Sequence, residues 1–483
     1  CIALNFIIFL FYISFNTAIG QTLEWSNTQK LRGNSLYTTV VGEDESGIYV
    51  FKHKNKFLSK FLVMERYRHN LGLENSKSFL LKDTRILYAN LNENGLLIIK
   101  QVFDKKSSTY TVNASYLNSS FENIIPETNL IEVKSNDTYD EPIFIIKPSS
   151  KNNYYFIFNL DASTLKKNKS KYVCIDQKLN VIKNENLDLD LSLNIESISE
   201  IVIDNNLNFC MLAKLIENKK NKQNFAIIEQ TDTSTEFKIV SDSFSCLNNM
   251  RIFYNPLKDQ KGISGFYSPN KEEGFVGDFS YQWQSLLKEN IKIIKHPFST
   301  SILRELEGEA SAHSGLLPNS YQCIKLICRS DGGFLKLSEN SFIQKSQDIM
   351  VINGVQSAQG RSIYIYENIL VQNFDSTGNL AWESWIAKNQ NTVNDGGMLG
   401  SAFVLATESS INVLFNDPIA AGGDILVASF LPSGERDIKV LVKGDEMNAF
   451  ILPMEGIQIS KDKIIVPVSK DRKFALLKIT FKQ

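Results

Sequence analysis

Almost every apolar run in this chain is four to eight residues long and is stopped by a cluster of Asn, Asp, Ser, Gly or Lys. Runs of that length built from Ile, Leu, Val, Phe and Tyr are strand signals, since branched and aromatic side chains pack well on a pleated surface. GIYVF from Gly47, GLLIIKQVF from Gly95, YYFIF from Tyr154, INVLF from Ile411 and KIIVPV from Lys463 are examples. Helical periodicity is confined to two short stretches, Ser285 to Ile294 and Ser301 to Ala310. In the second, Leu303 and Leu306 oppose Glu305 and Glu309. The pattern predicts an all-β fold.

The strands also recur. A strand, a polar turn and a second strand can be anchored at Tyr67, Tyr116, Ile175, Glu229, Tyr281, Phe374 and Phe430, with spacings of 49, 59, 54, 52, 93 and 56 residues. Five of the six agree with one period near 50, which in a strand-rich chain predicts a β-propeller of four-stranded blades. Seven blades follow, or eight if the long interval conceals a full repeat. Leading hairpins turn at Asp44-Glu45-Ser46-Gly47 and Asn92-Glu93-Asn94-Gly95, where Gly supplies the positive φ of a tight turn. The final hairpin, IIVPV then FALLKITF, is expected to close the ring with the strand at Tyr37 to Val41. The rival architecture is two β-sandwich domains joined within Glu307 to Ser320, a polar stretch rich in Gly and Ser.

Residues 2–19 are almost wholly apolar and lead to Ala18-Ile19-Gly20 just before Gln21, an h-region followed by a small-x-small cleavage site. The positively charged n-region is missing and the chain starts with Cys1 rather than Met, so the sequence reads as clipped at its start. The expectation is a signal peptide over 1–20 and a β-propeller-like domain over 21–483, with an insertion or degenerate repeat around 300–330. An uncleaved signal anchor competes, since about 18 apolar residues is near the lower limit for a spanning helix. Removing 20 residues from 483 leaves 463, with Cys174, Cys210, Cys246, Cys323 and Cys328. Five is odd, so these read as mostly buried small apolar residues with at most one bridged pair.

Charge excludes some partners. With 52 Lys+Arg against 53 Asp+Glu, the formal net charge is -1, which gives neither nucleic acid nor an anionic membrane a long-range reason to bind. No second hydrophobic span follows, so no membrane span is expected once the signal is removed.

Chemical motifs are sparse. Asp375-Ser376-Thr377-Gly378 with Trp382 is similar to the D-x-x-G-x-x-x-W pattern of outer-membrane propellers and quinoprotein-like repeats, which implies a turn and a Trp packed between adjacent blades. Trp385, three residues on, falls on the other side of the strand and is a candidate exposed ring for binding. Asp331-Gly332-Gly333 and Asp395-Gly396-Gly397 read as tight turns, and Asp188 and Asp190 as the polar face of a strand. His53, His69, His296 and His313 are scattered without metal-ligand spacing. His313 and Ser314 lack the strand-turn-helix context of a catalytic elbow. Asp417, Asp424 and Glu455, near turns, are the carboxylates that could form an acid/base pair on one face. The basic run Lys52, Lys54, Lys56 and Lys60, and the cluster Lys219, Lys220 and Lys222, read as solubilising edge charges.

GFYSPNKEEGFVGDF from Gly265, RSDGGFLKLSE from Arg329, ENILVQNFDSTGNLAWESWIAKNQ from Glu367 and KDRKFALLKITF from Lys470 together resemble uncharacterised secreted β-propeller-like proteins of Bacteroidota. The resemblance is strongest from about Met250 onward. It implies fold and compartment, and carries no catalytic residues with it.

The function expected is that of an exported envelope protein, in the periplasm or at the cell surface: a non-catalytic binding or scaffolding module contacting a protein or glycan partner, with no nucleic acid, cofactor, metal or catalytic residue assigned. The alternative is an envelope hydrolase acting on glycans or peptides, with carboxylates from different blades converging at a central channel.

Overall fold

The computed structural model describes residues 21–30, 34–56, 59–134, 141–160, 165, 170–187, 189, 194–216, 225–240, 246–270, 273–284, 292–352, 355–419, 423–444, 448–470 and 473–481. Their strands form eight sheets, each a four-stranded antiparallel meander at heart. Blade 1 consists of Asn34–Asp44, Gly47–Lys56, Ser59–Tyr67 and Leu73–Leu80, and blade 2 of Thr84–Asn92, Gly95–Asp104, Thr109–Leu117 and Asn123–Lys134. Blades 3, 4 and 5 start at Phe144, Ile195 and Cys246, and blades 6 and 7 at Tyr321 and Phe403. Blade 8 joins Ala449–Ile451, Lys463–Lys470 and Lys473–Phe481 to the N-terminal strand Gln21–Trp25.

The core is a ring of interfaces between neighbouring blades. In Tyr154–Asn159 of blade 3, Phe156 and Phe158 pack toward Phe209 and Met211 of blade 4, while Tyr155 and Ile157 pack toward Leu97 and Ile99 of blade 2. Successive side chains of a strand point to opposite faces, so a strand buried on both faces has to be apolar throughout. That is why the second and third strands stand out as continuous apolar runs. The last interface returns to the first: Ile465, Phe474 and Leu476 of blade 8 pack on Val40, Ile48 and Val50 of blade 1. From blade 1 to blade 6 the first strands of successive blades touch one another and line the inner ring. Fourth strands such as Val181–Asn186 are largely exposed. The arrangement is an eight-bladed β-propeller and excludes a pair of sandwiches.

All seven sequence anchors fall on the third strand of a blade, from Tyr67 in Ser59–Tyr67 to Phe430 in Asp424–Phe430. The 93-residue interval conceals no repeat. Its extra length is two helices, α1 (Thr300–Glu307) and α2 (Glu309–Ser314), and a long hairpin, Phe334–Ile352 with Val355–Phe374. The eighth blade is instead the closing one. Its fourth strand is Gln21–Trp25, which pairs from Gln21↔Phe481 to Trp25↔Leu477. Tyr37 to Val41, expected to close the ring, belongs to the first strand of blade 1. QTLEW escapes notice in the sequence because it has only two large apolar residues, Leu23 and Trp25, which are the two that join the blade 7–8 cluster. Of the two expected helices, the first falls outside the described residues except at its end, where Ile294 starts a strand.

An antiparallel meander puts the first-to-second and third-to-fourth turns of every blade on one face, and the remaining connections on the other. Many of the described turns on the first face are tight and capped by Asx side chains. Asp176 Oδ1 accepts from the backbone N–H of Lys178 and Asn180 at 2.8 and 2.9 Å, and Asp204 and Asp375 repeat the pattern. In several such turns a large apolar residue takes positive φ: Leu71 (63°), Phe121 (60°) and Leu179 (64°). That conformation costs an L-residue roughly 1–2 kcal/mol. Burial against a neighbouring blade, at 1 %, 1 % and 4 % exposure, returns about 1.5–3 kcal/mol each. At Gly378 (φ 85°) the equivalent place holds glycine, because a Cβ there would meet Ser280 Oγ at 2.8 Å.

Candidate functional site

The opposite face carries the long segments. Ser299 caps α1, its Oγ accepting from Ile302 N–H at 3.2 Å. The helix buries Ile302, Leu303 and Leu306 against Phe266, Phe275, Tyr321 and Leu370 of blades 5 and 6. Beside it the long hairpin outruns its blade. Pairing with the first strand of blade 6 stops at Tyr321↔Asn340, while the hairpin continues to Ile352↔Val355. Gln390–Val393 braces it along Ile363 to Tyr366. Phe342 and Ile343 are exposed by 43% and 55%.

A polar cluster sits at the root of this hairpin. Asn340, 3 % exposed, donates through Nδ2 to Glu367 Oε2 at 2.8 Å and to Glu307 Oε1 at 3.4 Å, and Tyr321 donates its O–H to Glu307 Oε1 at 2.7 Å. Burial, with the Glu367 charge adding to it, holds the Glu307 carboxyl above the usual range. Deeper in, Lys388 pairs with Glu339 at 2.7 Å, and burial lowers the lysine. Lys336 pairs with Asp278 of blade 5, both fully buried. Its ammonium also donates to Gly265 O at 3.1 Å and lies 3.6 Å from the centre of the Phe266 ring.

The same device recurs around the ring. Lys261 of blade 5 reaches back to Asp204 and Glu229 of blade 4 at 2.9 and 2.6 Å. Lys52 of blade 1 meets Glu65 at 2.7 Å, Gln29 at 2.8 Å and the Phe474 ring of blade 8 at 3.8 Å. Lys52, read from sequence as an edge charge, is therefore an interior residue: its stem packs in the closing interface and its charge is matched by Glu65. Lys54, Lys56, Lys219, Lys220 and Lys222 lie outside the residues whose side chains are described, as do Asp188 and Asp190.

Between blades 1 and 2 the loop-bearing face opens into a cleft of about 1130 Å³. Its floor includes Gln101, 3 % exposed, whose Nε2 donates to Glu141 Oε1 at 3.1 Å. Phe103 stacks on Tyr110 at 4.4 Å between centroids. Around them stand Lys60, Lys82, Arg85 and Lys105, with Asp83 and Glu141. Lys105 pairs with Asp83 at 2.9 Å and Arg85 with Glu141 at 3.7 Å, and both cations are mostly exposed. His53, also in the lining, is held below its ordinary pKa by burial. None of these residues forms a sequence motif. They come together because the end of one blade and the start of the next meet here.

The other residues weighed from sequence fall as follows. Trp382 packs between blades, stacked 6.5 Å from Phe430 and donating Nε1–H to Pro432 O at 2.9 Å. Trp385 is not an open ring: it packs on the helix cluster, and the Arg436 guanidinium covers it at 4.3 Å. Asp331 and Asp395 cap their glycine turns, accepting from Gly333 N–H at 3.0 Å and Gly397 N–H at 2.8 Å. Asp417 and Asp424 face each other across one hairpin of blade 7. Glu455 lies apart from them, taking a hydrogen bond from the Thr39 hydroxyl of blade 1. Burial raises Asp417, and Asp424 accepts from Gly444 N–H at 2.8 Å. Ser314 donates to Ser311 O and His313 Nδ1 contacts Glu309 O, both within one helix. The four histidines stay apart, and no group of three or more potential metal ligands occurs among the described residues. Cys174, Cys210, Cys323 and Cys328 are free thiols, and Cys246 is buried like the first three, Cys328 being half-buried. Among the described residues no helix is long and apolar enough to cross a membrane.

No family model and no curated protein matches the chain. Solved structures are matched over most of the chain at low identity. The polysaccharide lyase Uly1 is 8% identical with a TM-score of 0.41, over 95% of this chain and 100% of that one. The β-propeller domain of the Trilobed protease from Pyrococcus furiosus, reported to have an open velcro topology, is 8% identical with a TM-score of 0.38, over 84% and 97%. A member of the DUF4221 family from Bacteroides vulgatus is 8% identical with a TM-score of 0.31, over 95% and 99%.

Proposed function

We propose that this chain is an exported, non-catalytic binding or scaffolding module of the cell envelope, of the kind its sequence resembles among secreted Bacteroidota proteins, and that its loop-bearing face contacts a protein or glycan partner. The observation that carries this is the asymmetry of the two faces. Most of the described turns on one are short and self-capped, the connection from Ile451 to Lys463 in blade 8 being the long exception. The other bears α1, α2, the long hairpin and a cleft of about 1130 Å³, carried on a ring whose blades pack against one another. The apolar stretch over residues 2–19 supports export, and Gln21, where cleavage is expected, is the first residue of the closing strand.

The test is capture from envelope extracts by the intact protein and by a variant in which Ser341 to Asn368 is replaced by a two-residue turn. Partners retained by the first and lost by the second support the reading. Equal recovery by both, or no reproducible partner together with turnover of an envelope glycan, overturns it.

One observation favours the hydrolase alternative. Glu307 and Glu367 come from different segments and share Asn340, and burial with the Glu367 charge raises the Glu307 pKa. Turnover abolished by Glu307→Gln would establish it.

A further inference from the structure

We infer that the cleft between blades 1 and 2 is a binding site for an acidic oligosaccharide, one whose sugar units carry carboxylates. This rests on the reading of the loop-bearing face as the binding face and names the chemistry of one ligand for it.

The charge of the site differs from that of the chain. The whole sequence is balanced at -1, yet the cleft collects Lys60, Lys82, Arg85 and Lys105 against Asp83 and Glu141. Low-dielectric walls focus such a local excess, so a neutral protein can still draw an anion to one place. The cations are available: the Lys105 and Arg85 side chains are exposed by 68% and 71%. Ion pairs that exposed hold little energy against exchange for a ligand. Arg85 offers the planar fork that grips a carboxylate through two hydrogen bonds.

The remaining lining decides which anion. A phosphate polymer needs cations and donors alone, and would bring its dense charge against Asp83 and Glu141. A sugar chain needs acceptors as well, since each hydroxyl donates one hydrogen bond. Glu141 and Asp83 supply them, and Gln101, fixed at the floor, offers an amide. The Phe103–Tyr110 stack provides a flat apolar wall for the C–H face of a pyranose ring, and Phe103 keeps part of its surface open. At about 1130 Å³ the cleft is slightly larger than small-molecule sites, which run to about 1,000 Å³, and takes several sugar units rather than one phosphate.

The experiment is calorimetric titration of the intact protein with hexagalacturonate, maltohexaose and inorganic polyphosphate, each at low and moderate salt. Hexagalacturonate is expected to bind, to weaken as salt screens the cations, and to lose about tenfold or more in affinity in the Arg85→Gln/Lys105→Gln double variant. Both residues are exposed, so that variant keeps its melting temperature. Phe103→Leu, close in volume but without the flat ring, is expected to weaken hexagalacturonate with little change in salt dependence. Hexagalacturonate bound no better than maltohexaose, polyphosphate bound more tightly, or an unchanged double variant each overturns the inference. If envelope capture still depends on the hairpin while hexagalacturonate does not bind, this inference fails and the broader reading stands. If both fail, the broader reading falls too.

Discussion

Lys336 and Asp278 allow a sharp test of how the blades are joined. Both side chains are fully buried, and Asp278 also accepts from Gln372. Replacing Lys336 by Met keeps most of the apolar stem over Phe266 and removes the ammonium, with its charge and its hydrogen bond to Gly265 O. Asp278 is then left as an uncompensated buried carboxylate, a loss of about 3–5 kcal/mol. At roughly 1 °C per kcal/mol for a chain of this size, melting should fall by about 3–5 °C near pH 7.5. The pH dependence gives the mechanism. Burial already raises the Asp278 pKa above its ordinary value, against the pull of Lys336 and Gln372. A raised folded pKa means that folding favours the protonated form, so stability from this residue is greatest below the unfolded value and falls as pH rises through the folded one. Without Lys336 that pKa moves further up, so the deficit of the variant should shrink at pH 5 relative to pH 7.5. Adding Asp278→Asn should recover most of the loss at neutral pH. Thermal and urea melts of the four proteins of this cycle, at both pH values, read the effect. A variant as stable as the parent at pH 7.5, or a deficit of constant size, would refute the reasoning.

Three further outcomes follow from the geometry. Deleting Gln21–Trp25 strips five residue pairs from blade 8 and uncovers the cluster joined by Leu23 and Trp25; the expected loss is about 3–5 kcal/mol, with new proteolytic cuts between Lys463 and Phe481, and an unchanged digest would contradict the closure. Gly378→Ala should cost roughly 1–3 kcal/mol from its φ of 85° and the Ser280 contact, whereas Gly315→Ala, left-handed at φ 71° with nothing within 4 Å, should cost only the backbone part, about 1 kcal/mol; equal melts would remove Ser280 from the argument. Burial pushes Cys174 up to about 12 and Cys323 and Cys328 up to about 11, and Cys210 also upward, so mass-spectrometric mapping of a thiol reagent at pH 8 should find these four slow in the native protein and fast in guanidinium, and rapid native labelling of any of them would count against their placement.

Much of the architecture was legible because propeller strands are buried on both faces and so announce themselves as apolar runs. The anchors succeeded for a further reason: in blades 2, 3 and 6 the third strand ends in a turn capped by Asn118, Asp176 or Asp375, and in blade 4 by Thr231, which leaves a polar signature at nearly the same place. Blade 8 was harder, since its fourth strand stands at the far end of the sequence and is only five residues long. The buried lysines were illegible on different grounds. Lys52 sits in a run of basic residues, and the partners that make Lys261 and Lys336 interior belong to the preceding blade. A one-dimensional pattern records what a strand buries, but not which charge from the next sheet will meet it. The cleft is similar, because its residues are ordinary in sequence and become a site only where two blades diverge.

The closing pair Gln21↔Phe481 also orders events in time. Blades 1 to 7 are each built from consecutive strands, so each can form as its own stretch of chain becomes available, by local contacts that close quickly. Blade 8 cannot, since its outer strand is at hand first and its inner three last. Until they meet, both ends of the array present an unpaired or half-built sheet, and the apolar faces of blades 1 and 7 wait uncovered. The final step therefore pays the loop-closure entropy of nearly the whole chain. A protein closed in this way should show one slow refolding phase, sensitive to changes in Leu23, Trp25 or the Lys463–Phe481 hairpin and indifferent to changes within blades 3 to 5.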